Sequence, residues 1–126
     1  MSYVLLIEPN TVLAKTYALA MRHAGHEVRC VTGAQAAITV ADERMPDMVL
    51  LELQLPVHNG VEFLQEFRSY ADWQCVPVVV NTLIPPSQLA PVLEALRRDY
   101  GVEQVLYKPR ASIQDIVSVV HQHTGV

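Results

Sequence analysis

A doubly wound α/β domain, five parallel strands with helices on both faces, is the fold class that the sequence predicts, and three observations predict it. Five short apolar or β-branched runs alternate with five stretches of helical periodicity along the 126 residues. One of those runs, Met48-Val49-Leu50-Leu51, is apolar at four consecutive positions, as a strand covered on both faces must be. Polar residues stand at the ends of four strands, at Glu8, Glu52, Thr82 and Lys108. Right-handed crossovers make the strands parallel, so those ends share one rim, the place where such sheets bind ligands.

Each element has its own local reason. Tyr3 to Ile7 is a β-prone apolar run closed by Glu8-Pro9-Asn10. A helix follows from Thr11, with Val12, Leu13, Tyr17, Ala20, Met21 and Ala24 at helical spacing, Asn10 as N-cap and Gly25 as stop. Glu27 to Val31 forms a second strand, and the alanine-rich stretch Ala34 to Glu43 a second helix, ended by Pro46. After the buried third strand comes Glu52, then a loop in which Pro56 fixes one backbone angle and Asn59 and Gly60 tolerate left-handed conformations. Val61, Phe63, Leu64 and Phe67 mark a third helix, running to about Tyr70. Val78-Val79-Val80 is a fourth strand ending at Asn81-Thr82, and Leu83 to Pro86 should be an extended connection, with Ser87 capping the next helix. That helix carries Leu89, Val92, Leu93 and Leu96 and stops at Gly101, before a fifth strand at Val105-Leu106-Tyr107 closed by Lys108-Pro109. Ser112 and Asp115 have capping-box spacing for a last helix, which uses Ile113, Ile116, Val117 and Val120 and frays into a polar tail from His121 to Val126.

Composition narrows the function classes. A chain 51% hydrophobic and 17% charged buries one ordinary core, so a single domain over residues 1–126 is expected. The formal net charge of -4 argues against nucleic acid and anionic membranes as partners and leaves proteins. No apolar run is long enough to span a bilayer, and Met1-Ser2-Tyr3 leads straight into a strand, so neither signal nor anchor is expected. Cys30 and Cys75 lack metal or redox spacing and read as free thiols of a reducing, cytoplasmic compartment. His23 with His26, and His121 with His123, have no third ligand at readable spacing, so neither pair suggests a metal. His58 lies in the loop beside the rim and reads as a solvated loop histidine. Trp73 and Phe67 read as structural, and Arg97 and Arg98 complement a helix dipole.

The order Glu8, PDMVLLE with LPVHNG, PVVVNT and YKP resembles the receiver domains of response regulators along essentially the entire chain. The resemblance implies the flavodoxin-like (βα)5 fold of CheY-like proteins and a cytoplasmic role in two-component or phosphorelay signalling. It also assigns positions. Glu52 falls on the aspartate that accepts a phosphoryl group from a histidine kinase, Glu8 and Pro9 on the acidic pair that holds Mg²⁺, and Thr82 and Lys108 on the phosphate-contacting hydroxyl and lysine. Pro109 is the turn proline, cis or trans, that follows the lysine. The switch aromatic falls on Val105, with Tyr107 two places later on the same strand face.

The departures carry chemical weight. Phosphoryl transfer to a carboxylate needs in-line approach, a divalent cation and donors aimed at the developing charge. Pro9 has no side-chain oxygen, so Mg²⁺ is left with Glu8, Glu52 and Gln54 and is expected to bind weakly or not at all. Glutamate extends the carboxylate by about 1.5 Å of chain, and a misplacement near 1 Å costs roughly a hundredfold in rate. The expected function is therefore a non-enzymatic, receiver-like signalling module with a degenerate acceptor site that acts by protein contact without a cofactor. Two readings of Glu52 stand: a fixed charge that imitates the phosphorylated state, or a remnant that shares Lys108 with Glu8 as counter-ion. Partners would be a histidine kinase or a downstream protein, with a homodimer through the helix-4, strand-5 and helix-5 face as a further family option. The alternatives are a phosphorylatable switch and, more remotely, a nucleotide- or flavin-binding enzyme, against which the glycine-free Glu8-to-Leu13 turn speaks. A hydrolase built on Glu8, Glu52 and Lys108 has no readable substrate pocket.

Overall fold

Four consecutive apolar residues are best covered in the middle of a sheet, and that is where Met48–Leu51 lies in the computed structural model, which describes residues 2–125. In chain order the elements are β1 (Tyr3–Ile7), α1 (Thr11–His23), β2 (Glu27–Val31), α2 (Ala34–Glu43), β3 (Met48–Leu51), α3 (Gly60–Phe67), a 3₁₀ turn (Ala71–Trp73), β4 (Val78–Thr82), α4 (Pro86–Tyr100), β5 (Val102–Tyr107) and α5 (Ile113–Thr124). The sheet is entirely parallel, in the order β2-β1-β3-β4-β5.

Alternation along the strands divides the core in two. Leu5, Ile7, Val49, Leu51, Val78 and Val80 face α2, α3 and α4, together with Ile38, Phe63, Phe67 and Leu96. Val4, Leu6, Met48, Leu50 and Val79 face α1 and α5, meeting Tyr17, Met21, Ile116 and Val120. Each fully buried aliphatic side chain contributes about 1.5–3 kcal/mol, so the central strands are the least replaceable part of the fold. The edges differ. β2 exposes Glu27 and Arg29 and β5 exposes Glu103, and β5 joins β4 through a register shift between Val78 and Val79.

Several boundaries depart from the sequence reading for local reasons. Pro86 begins α4 instead of preceding it, because a proline at the first helical position loses no hydrogen bond; Pro85, not Ser87, is the N-cap. Pro91 also lies inside this helix. α3 ends at Phe67, and the chain then makes the 3₁₀ turn that brings Trp73 onto Phe67, ring centroids 5.0 Å apart. β5 begins three residues earlier than its apolar core suggests, whereas α2 closes at Glu43 as expected, with Arg44 already extended ahead of Pro46. α5 does not fray at His121 but continues to Thr124, with Gly125 capping it at φ 74°. Met1 and Val126 lie outside the described residues. Both cysteines are free thiols, Cys30 half-buried and Cys75 exposed.

The β3–α3 loop corrects one expectation. Asn59 is extended and caps α3, accepting from the Glu62 N–H while Glu62 reaches back to the Asn59 N–H. Gly60 is required for close approach: a Cβ there would stand 2.7 Å from Leu53 Cα. The left-handed residue is Val57, φ 67°, a strained conformation for a β-branched side chain that is 94% exposed.

Candidate functional site

The strand ends are held in register beyond the last side chain that faces the core. The Glu8 N–H donates to Val31 O at 3.0 Å, the Glu52 N–H to Ile7 O at 3.0 Å, and the Lys108 N–H to Thr82 O at 2.9 Å. Glu8, Glu52 and Lys108 are thereby one step past their strands but still tied to the ladder, and with Thr82, the last residue of β4, they converge on one rim. Glu8 and Glu52 are each 2% exposed and Thr82 is fully buried.

Lys108 closes the cluster. Its Nζ donates to Glu8 Oε1 at 2.6 Å and to Glu52 Oε1 at 2.7 Å, with the side chains of all three nearly sealed from solvent. Backbone N–H groups take up further acceptor sites. The Gln54 N–H donates to Glu52 Oε2 at 3.1 Å, the Leu83 N–H to Glu52 Oε1 at 3.1 Å, and the Asn10 N–H to Glu8 Oε2 at 3.1 Å. Burial by itself pushes the Glu52 carboxyl up, but Lys108, the Thr82 hydroxyl and the Gln54 N–H together outweigh it and hold the group below the usual carboxylate range. Burial likewise opposes charge on Lys108, and its bonds to Glu52 and Glu8 reverse that and raise it above the ordinary amine value. The centre is a stable ammonium between two carboxylates.

Around it lies a shallow cleft of about 340 Å³ whose walls, Pro9, Leu13, Leu83 and Pro109, are mostly apolar. No cis peptide occurs among the described residues, so Pro109 is a trans turn proline. Thr82 Oγ1 also accepts from the Ile84 N–H at 3.2 Å, tightening the β4–α4 loop over the site. Below the rim, Asn81 Nδ2 donates to the Tyr17 hydroxyl at 3.1 Å. Val105 and Tyr107 share a face of β5 and line a small cavity of about 150 Å³ against Leu89, Leu93 and Arg97 of α4.

Of the residues singled out from sequence, Glu8, Glu52, Thr82 and Lys108 come together, with Gln54 present through its backbone N–H. His58 stays outside, exposed and 3.1 Å from Glu62 at the start of α3. The donors from Leu83, Gln54 and Asn10 are backbone groups, for which no residue type gives a signal. His26 and His121, each paired by sequence with a different neighbour, meet each other at 3.1 Å.

Comparison with known proteins places this geometry. A sequence profile described as response regulator receiver domain matches residues 4–121. The KDP operon transcriptional regulatory protein KdpE of Escherichia coli is 31% identical over 109 residues, covering 86% of this chain and 45% of that protein. The sensory transduction protein RegX3 of Mycobacterium tuberculosis is 34% identical over 82 residues, covering 65% of this chain and 35% of that protein. The chain thus spans less than half the length of these curated relatives. Chemotaxis protein CheY4 of Vibrio cholerae superposes with a TM-score of 0.85 at 19% identity, over 97% of this chain and 98% of that one. The receiver domain of sensor histidine kinase PA1611 from Pseudomonas aeruginosa, which has a magnesium ion coordinated in its active-site cleft, superposes with a TM-score of 0.79 at 23% identity, over 99% and 98%. With the rim formed by Glu8, Glu52, Thr82 and Lys108 on a β2-β1-β3-β4-β5 sheet, the chain belongs to the response regulator receiver domain family.

Proposed function

We propose that this receiver domain signals by protein contact without acquiring a phosphoryl group, its acceptor site being closed by an internal ion cluster. The observation that carries the reading is the Lys108 ammonium, buried between Glu8 and Glu52 at 2.6 and 2.7 Å. A carboxylate that accepts from Lys108, Leu83 and Gln54 has little free electron density to offer an incoming phosphorus. The donor set does not fit Mg²⁺ either. Pro9 supplies no ligand, and the oxygens of Glu8 and Glu52 that face each other already hold a cation. No step of the proposed function passes through a metal, a cofactor or catalysis by the domain. The partners are proteins, a histidine kinase or a downstream component of a two-component system, in keeping with a net charge of -4 that disfavours nucleic acid. No helix among the described residues is long and apolar enough to cross a membrane, and a cytoplasmic location suits this role.

Intact-mass spectrometry after incubation with acetyl phosphate and Mg²⁺ tests the reading on wild type, Glu52→Asp and Glu52→Ala. Wild type should gain no phosphoryl adduct; an adduct on wild type that Glu52→Ala loses would overturn it. One contact favours a second, narrower reading, in which Glu52 imitates the charged acceptor. Its Oε1 holds the Leu83 N–H as well as Lys108, and so ties β3 to the β4–α4 loop. Under that reading Glu52→Ala releases the loop and weakens partner binding, whereas a merely vestigial Glu52 leaves binding unchanged.

A further inference from the structure

His26 and His121 lie 95 residues apart in sequence and meet at the end of the sheet opposite the carboxylate cluster. His26 follows the Gly25 turn and precedes β2, and its N–H donates to Met21 O of α1 at 3.1 Å. His121 sits in the closing turns of α5. The two rings, centroids 4.8 Å apart and inclined at 45°, share a hydrogen bond of 3.1 Å between His26 Nε2 and His121 Nδ1. Such a bond needs one nitrogen to donate and the other to accept. It survives with both rings neutral or with one proton added, and is lost when both are charged, because two N–H groups then face each other. His26 is 3% exposed and its Nδ1 is buried without a partner. His123 Nε2, in the same closing turns of α5, is also buried without one. A second proton would thus place a cation where nothing hydrogen-bonds it.

We propose that the His26–His121 hydrogen bond is an acid-labile latch that fastens the C-terminal turns of α5 to the α1–β2 corner. The surroundings all oppose charge on His26. Burial lowers its proton affinity most, followed by His121 on α5; no charged group of α1 or β2 offsets them among the described residues. The remainder of α5 is anchored independently through Ile116, Val119 and Val120, so opening is confined to the final turns.

An NMR titration of the whole chain from pH 7.5 to 5 tests the latch, following the imidazole nitrogens and the amide protection factors of α5. On acidification, protection at His121 to Thr124 should fall about fivefold, the effect of losing one hydrogen bond of ordinary strength, while Ile116 to Val120 hold. In His26→Gln the protection at His121 to Thr124 should cease to depend on pH. Unchanged wild-type protection over this range would overturn the proposal, as would an equal fall in His26→Gln. Should that variant not fold, tautomer assignment from the wild-type nitrogen shifts at pH 7.5 decides, and two rings that both protonate without losing α5 protection refute the latch.

Discussion

Two buried polar clusters, at opposite ends of one sheet, solve the same problem differently. At the carboxyl ends of the strands, Lys108, Glu8 and Glu52 neutralise one another and backbone N–H groups occupy further lone pairs. At the other end, the His26–His121 pair leaves one ring nitrogen of His26 with no partner. In the first cluster Glu52 and Lys108 are both shifted away from neutrality. Glu52 is held below its ordinary 4.5, so its contribution is complete above that value and fades as the pH falls through the folded-state pKa. Lys108 is raised above 10.5, so its contribution is lost only as the pH rises through that higher value. His26 is lowered from 6.5, and the unfolded chain therefore takes up its proton first, which costs stability as the pH falls below 6.5. A satisfied cluster gives permanence, and a half-satisfied one gives sensitivity.

Removing the cation is the strongest way to break the contrast. Lys108→Met leaves two carboxylates buried side by side and should cost roughly 3–5 kcal/mol in chemical denaturation. Part of that loss should return on acidification, because one proton shared between the two carboxylates relieves their repulsion. A melting temperature equal to wild type would mean that water reaches the cluster. Glu52→Gln keeps the shape and removes the charge, and should cost about 1.5–3 kcal/mol at pH 7 through a weakened bond to Lys108. Its loss of stability below pH 4.5 should be shallower than that of wild type, as seen in acid denaturation. His26→Gln sharpens the other half of the comparison: thermal melts should place it below wild type at pH 7.5, and the gap should narrow as the pH falls past 6.5. The smallest effect belongs to the exposed Glu27–Arg44 pair at 2.7 Å, where Glu27→Gln should leave the melting temperature unchanged in ordinary salt.

Much of this was legible from residue types, and what was not has a common cause. Met48–Leu51 and Ala34–Glu43 were readable to the residue because apolar runs and helical periodicity are local signals. The convergence of Glu8, Glu52, Thr82 and Lys108 followed from topology once the strands were parallel, since each stands at a strand end. The donors from Leu83 and Gln54 were hidden because every residue except proline carries an N–H, so nothing distinguishes those positions. Pro86 was misplaced because a proline both avoids a helix and opens one, and the two prolines in tandem left the choice to tertiary packing. The histidine pair escaped for the opposite reason. Local spacing joined His23 to His26 and His121 to His123, whereas the contact that forms is between members of different pairs.

The charged residues along β2 matter most before folding is complete and at high concentration. An outer strand offers a row of unused amides and carbonyls to any extended neighbour, including the same strand of another molecule. Glu27 and Arg29 project from that row, flanked inward by Val28 and Cys30. An incoming strand would have to settle against these exposed charged side chains, one of which is already engaged with Arg44, and that disfavours pairing along this edge. The sheet's outer boundary thereby resists edge-to-edge association, a colloidal property written into two side chains that take no part in the signalling rim.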